Sequence, residues 1–167
     1  MVLTLIGPAK AEPPSMTARE VTKSITTMGP RGALDSLYQN EDQWNKLIAG
    51  IATGKPAWLN IAKRLRRVSD GGTREQIDLA VGEALEHRPA DVLSLVLDEF
   101  GLDEVCQGPD VDDKRFDSYD LAIAAIRHRQ DKLRALNNGN LTVKRDACVS
   151  ALDRARADIA RFYNHGS

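Results

Sequence analysis

Residues 44–100 read WNKLIAGIATGKPAWLNIAKRLRRVSDGGTREQIDLAVGEALEHRPADVLSLVLDEF, and the spacing of their apolar side chains decides the fold class. Trp44, Leu47, Ile48 and Ile51 stand at i, i+3, i+4 and i+7, the period that lines one face of an α-helix. Trp58, Ile61, Ala62 and Leu65 repeat that pattern after Gly54, Lys55 and Pro56, where Pro56 suits a first helical turn. Ile77, Ala80, Val81 and Ala84 form a third stripe; Gly71 and Gly72 precede it as a stop, and Thr73 with Gln76 has the spacing of a capping box. From Val92 to Phe100, after Arg88 and Pro89, the chain is apolar on nearly every side, which predicts one continuous and deeply buried helix.

The four segments align as two copies of one unit. A shift of 33 residues places Ile48 on Val81, Ile51 on Ala84, Pro56 on Pro89, Leu59 on Val92 and Ala62 on Leu95. That period suits helix–turn–helix repeats of the HEAT or TPR kind, whose apolar faces are covered only by stacking. Any two amphipathic helical pairs could align as well, so the repeat is one of two readings. The expected fold is all-α: stacked helical hairpins in a two-repeat core, then a long C-terminal helical hairpin, in one domain over residues 16–167.

Composition narrows the function classes. The 167 residues are 42% apolar, 28% charged and 5% aromatic, an ordinary globular balance. A formal charge of −1 argues against a general binder of nucleic acid or anionic membranes, which needs an excess of Lys and Arg. No apolar run approaches the roughly 20 residues that span a bilayer.

Residues 1–15 stand apart from the helical pattern. Ala9-Lys10-Ala11 after an apolar Val2–Ile6 run resembles a signal-peptidase site, although no basic segment precedes it. Two readings stand: the remnant of an export signal, implying a periplasmic protein, or a short disordered arm on a cytoplasmic one. Val21, Ile25 and Met28 then mark a helix ended by Gly29 and Pro30, and Ala33, Leu34 and Leu37 a short one that lids the core. Asn40, Glu41 and Asp42 supply a cap and early acids for the helix of Trp44.

Beyond Gly101 the periodicity lapses into an acidic stretch, Leu102–Ser118, too long to be an idle loop in a compact domain. Tyr119, Ala122, Ile123, Ile126, Leu133 and Leu136 mark the first helix of the C-terminal hairpin, and Asn137–Asn140 its turn. Cys148, Leu152, Ala155, Ile159 and Phe162 mark the second. Arg127 with Asp131, and Arg154 with Asp158, are spaced for surface pairs worth about 0.3–0.5 kcal/mol each.

Cys106 lies in the acidic stretch and Cys148 on the last apolar stripe. In an antiparallel hairpin Cys148 falls level with about position 129, roughly 18 Å along the partner helix at about 1.5 Å per residue. The roughly eleven residues after Cys106 can span that distance. A structural disulfide Cys106–Cys148 is therefore sterically allowed and would be worth about 4 kcal/mol by loop closure; the alternative is two separate reduced thiols. The spacing has neither a metal-binding nor a redox CxxC pattern.

Two surfaces are candidate sites. The first is a partner-binding surface of Asp110, Asp112, Asp113, Arg115 and Asp117, suited to a basic protein; the bland alternative is solvated acids capping the next helix. As an EF-hand loop from Asp110 it fails at Lys114, Arg115 and Leu121, so no metal or cofactor is expected there, a weak cation site being the third reading of these acids. The second is Lys63, Arg64, Arg66 and Arg67, either a solvated helix C-terminus favoured by the dipole or a patch for an anionic partner. Catalytic signatures are missing: the three histidines are scattered, Glu83 with His87 has no further ligand nearby, and no nucleophile-elbow or phosphate-loop motif occurs.

The Trp58–Leu65 segment, the Leu85–Leu97 helices and the Cys106-to-Cys148 hairpin together resemble a group of small exported all-helical proteins of Gram-negative bacteria, mostly uncharacterised. The resemblance implies a periplasmic location and brings no activity or functional residues. The expected function is a protein-interaction module with an unidentified protein partner, an immunity-type inhibitor of a secreted toxin being one concrete form. Alternatives from other classes are an envelope-acting hydrolase using paired carboxylates and a structural or scaffolding subunit.

Overall fold

A computed structural model describes residues 16–165, so the export-signal or arm reading of residues 1–15 lies outside the described residues. Among these residues there are nine α-helices, three short 3₁₀ turns and no strand. Helix α1 (Ala18–Tyr38) opens on a capping box: Glu20 N–H donates to Thr17 Oγ1 at 3.3 Å, and Thr17 N–H donates to the Glu20 carboxylate at 2.7 Å. It is broken where expected, at Gly29 (φ 76°) before Pro30, and its two arms pack on α2 (Glu41–Ala52) and α3 (Pro56–Arg66). Asn40 caps α2, its Oδ1 accepting from Gln43 N–H at 3.0 Å.

Two boundaries differ from the sequence expectation. Helix α4 (Gly71–Glu83) starts at the glycines themselves, with Asp70 as its N-cap and Asp70 N–H donating to Thr73 Oγ1 at 3.3 Å. The preceding helix has already ended at Arg66, so Gly71 and Gly72 are left to form a first turn. Gln76, expected to close the box, instead accepts from the Trp44 indole N–H and ties α4 to α2. The apolar run 92–100 is split at Val96 (φ −125°) into α5 (Pro89–Leu95) and α6 (Leu97–Phe100). Because α6 ends at Phe100, before Gly101 (φ 100°), the Phe100 carbonyl is free to accept from Arg66 at 3.1 Å, with the guanidinium 4.5 Å over the Phe100 ring.

The acidic stretch is more ordered than its lack of period suggested. Helix α7 (Leu102–Val105) forms at its start and a 3₁₀ turn at Lys114–Phe116. Helices α8 (Tyr119–Arg134) and α9 (Thr142–His165) pack along each other, and α7 packs against both α4 and α9. One contiguous apolar core runs from α1 to α9; Ile25, Leu47, Leu59, Ile77, Leu93 and Leu133 are among its large, fully enclosed members. No described helix is long and apolar enough to cross a membrane.

Cys106 and Cys148 are joined in a disulfide with Cα atoms 5.2 Å apart, and both are buried. Gln130 Nε2 donates to the Val149 carbonyl at 3.3 Å and ties α8 to α9. The expected surface pairs on these helices are not formed. Asp131 meets Arg134, Asp158 meets Arg161, and Arg154 reaches Asp103 at 3.4 Å. Long exposed side chains take whichever carboxylate is nearest, and such contacts are nearly isoenergetic.

Candidate functional site

A groove runs along α2 and α4, walled by the segment 106–117. Two adjoining hollows of about 500 and 340 Å³ make it up, and Asn45, Ile48, Glu83 and Arg115 line both. Its floor is apolar: Ile48, Ala49 and Ala52 from one helix, Leu79 and Ala80 from the other. Helical spacing explains this. The stripe that buries Leu47 and Ile51 in α2, and Ile77 and Val81 in α4, leaves 48, 49 and 52 and then 79, 80 and 83 on the flank facing the wall.

The wall, here called the strap, is seated by close packing and by charge. A Cβ on Gly82 would lie 3.1 Å from the Val105 carbonyl, and a Cβ on Gly108 would lie 2.9 Å from Ile159 Cδ1. Absent side chains at these two points let the end of α7 lie directly on α4 and the strap directly on α9. Pro109 is buried, whereas Asp110, Asp112, Lys114, Arg115 and Asp117 are exposed. Tyr163 donates from its hydroxyl to the Phe116 carbonyl at 2.6 Å.

Arg115 carries the electrostatics of the wall. Its guanidinium donates to both oxygens of Glu83 at 2.9 and 3.0 Å, and its Nε to Asp113 at 2.9 Å. The hydrogen bond from Arg115 outweighs partial burial and holds the Asp113 carboxyl below its ordinary value, while the two carboxylates raise Arg115 above its own. Asp110 accepts from Asp112 N–H at 2.9 Å, a local turn contact. Asp110, Asp113 and Arg115, which the sequence placed in one surface, do line the groove; Asp112 and Asp117 do not line it. Glu83, expected beside His87, is held by Arg115 instead, and His87 lines the far end of the groove.

Beneath the strap is a charged cluster that the sequence reading missed. Arg129 is 2% exposed; it donates through Nε to Glu86 at 2.9 Å and through a terminal nitrogen to the Gln107 carbonyl at 2.9 Å. His128 Nδ1 stands 3.6 Å from the same Glu86. A signal for it existed: Arg129 and Gln130 occupy the turn between Ile126 and Leu133 on the apolar stripe of α8, where an unpaired polar side chain would be costly. Since three carboxylates, Glu83, Asp110 and Asp113, face the groove against Arg115 alone, with Arg129 committed to Glu86, the rim is anionic.

The second candidate surface is largely neutralised within the fold. Arg66 pairs with Asp78 at 2.6 and 3.2 Å, and these side chains are 11% and 8% exposed. Lys63 and Arg67 both reach Glu99, at 3.1 and 2.6 Å. Burial would lift the Glu99 carboxyl, but hydrogen bonds and charge from Arg67 and Lys63 more than offset it and hold it low. Arg64 is half-buried. Among the described residues no three His, Cys, Asp or Glu side chains are grouped as a metal ion would require. Comparison with protein-family models, with curated proteins and with solved structures finds no match.

Proposed function

We propose that this protein is an exported interaction module that binds a basic protein partner in the groove of α2, α4 and the strap. The carrying observation is the pairing of an apolar floor with an anionic rim. Such a surface fits an aliphatic side chain flanked by Arg or Lys, the chemistry of a basic active-site edge on a secreted toxin. The disulfide is compatible with an oxidising compartment and so supports the periplasmic reading. The resemblance to small exported helical proteins belongs to this proposal too, as does the two-copy arrangement, with α2–α3 as one stacked pair, α4–α5 as the next and α8–α9 as the closing hairpin.

The test is affinity capture from periplasmic extract with wild type, Asp110→Asn/Asp113→Asn and Asp112→Ala/Asp117→Ala proteins. A basic partner should be held by wild type, weakened at raised salt, lost with the first pair and retained with the second. Equal capture by all three would remove the groove as the binding surface.

A further inference from the structure

Resting on the groove reading, we propose that oxidation of Cys106 and Cys148 assembles the groove: the reduced chain keeps its helices but not a seated strap, so the binding surface exists only in the disulfide form. The two thiols give up their protons and two electrons as the S–S bond forms. A thiol–disulfide oxidoreductase in its disulfide form accepts both and leaves as a dithiol.

The topology makes the strap the part most exposed to this bond. The closed ring runs from 106 to 148 and contains the strap and α8; none of α1–α6, which carry the groove floor, lies within it. Inside the ring α8 has its own apolar contacts and the Gln130 bond to α9, so it keeps its place without the sulfur link. The strap has less. Its apolar anchors are Pro109, Val111 and Phe116, of which only Pro109 is fully buried; Gly108 contributes no side chain, Asp112 is exposed, and the Arg115 side chain that pins its outer half to Glu83 is 59% exposed. Two carbonyl contacts, Gln107 to Arg129 and Phe116 to Tyr163, complete its polar attachments. The covalent link stands at the strap's inner end, where position 106 is fixed against α9.

Burial also gives the device a direction. Cys106 and Cys148 are 1% and 0% exposed, so a soluble reductant reaches them only after the chain around them has opened.

The experiment compares the oxidised full chain, the chain reduced under denaturant and refolded with reductant, and Cys106→Ser/Cys148→Ser. Amide hydrogen exchange across 107–117 and trypsin cleavage after Lys114 report strap seating; far-UV circular dichroism reports the helices. In the reduced and double-serine chains, exchange in 107–117 should quicken roughly a hundredfold or more, from loss of the link that fixes position 106 against α9. Cleavage after Lys114 should become fast, with amides of α2 and α4 changing only a few fold. Reduction of the native protein by added dithiol should be no faster than opening of the chain around the two sulfurs. Equal strap protection in all three would overturn the proposal, as would loss of the helices throughout, which would make the disulfide a general staple. If the strap responds as stated but the oxidised protein retains no basic partner, the groove reading fails and strap gating stands.

Discussion

Arg129→Met is the substitution that probes most sharply how the strap is supported. The side chain is 3% exposed and neutralises Glu86, which is 18% exposed, while holding the Gln107 carbonyl. Methionine fills a similar volume, so little cavity term arises, but one buried carboxylate loses its guanidinium and one buried carbonyl its donor. Removing one partner of a buried ion pair costs about 3–5 kcal/mol, and an orphaned buried acceptor about 1–3 kcal/mol. Glu86 keeps some water and has His128 nearby at 3.6 Å; the lower end of the range, about 3 kcal/mol, is therefore expected. For a domain of this size that lowers Tm by roughly 6–12 °C. Urea denaturation of Arg129→Met, Glu86→Gln and the double variant, with the disulfide intact, measures it. The double variant should recover at least about 1 kcal/mol relative to the sum of the single losses, because it no longer strands a charge. A loss under about 1 kcal/mol for Arg129→Met, or strict additivity in the cycle, would mean that Arg129 is not compensating a buried carboxylate.

Gly108→Ala should destabilise by about 1 kcal/mol, since the new methyl meets the far end of Ile159 at 2.9 Å. Combining it with Ile159→Val, which removes that end atom, should return part of the loss; thermal melts of the three variants decide. The Asp113 and Glu99 carboxyls are both held low by their arginine and lysine neighbours. Each therefore adds stability that is complete above its unfolded value of about 4 and is lost as pH falls through its folded value. Strap exchange should be flat in pH from about 5 to 7, after correction for intrinsic rates, and rise below about 4; Asp113→Asn should already be loose at neutrality and lose most of that acid dependence. Tyr163→Phe, which deletes the donor to the Phe116 carbonyl, should loosen amides near 116 while costing about 1 kcal/mol or less globally.

Much of the fold was legible because burial in helices leaves a period. Trp44, Leu47 and Ile51, or Ile77, Ala80 and Val81, needed only spacing to be placed on a core face, and all are buried. Gly29 with Pro30 marked a break for reasons internal to the backbone, and the Cys106–Cys148 link could be read as one of two alternatives because Cys148 was located along its helix and the residues after Cys106 were long enough to reach it. Long-range pairing was not legible. Nothing local in Arg115 says that it crosses to Glu83, or in Gln76 that it accepts from Trp44, because such contacts are set by how helices pack. Gly71 and Gly72 misled for a related reason: glycine permits both a stop and a first turn, and the earlier end of α3 settled which. The groove was half legible, its acidic wall being visible as composition and its apolar floor hidden among residues that serve the core on one side and face the wall on the other.

The most direct measurement is site-specific photocrosslinking in periplasmic extract, with the probe placed at Ala49 on the groove floor and, as a control, at Val143, which is 82% exposed on α9. The expected result is a salt-sensitive adduct to a basic protein from Ala49, abolished by Asp110→Asn/Asp113→Asn and missing from Val143. Adducts of equal yield from both positions, or an Ala49 adduct indifferent to salt and to those two carboxylates, would contradict it.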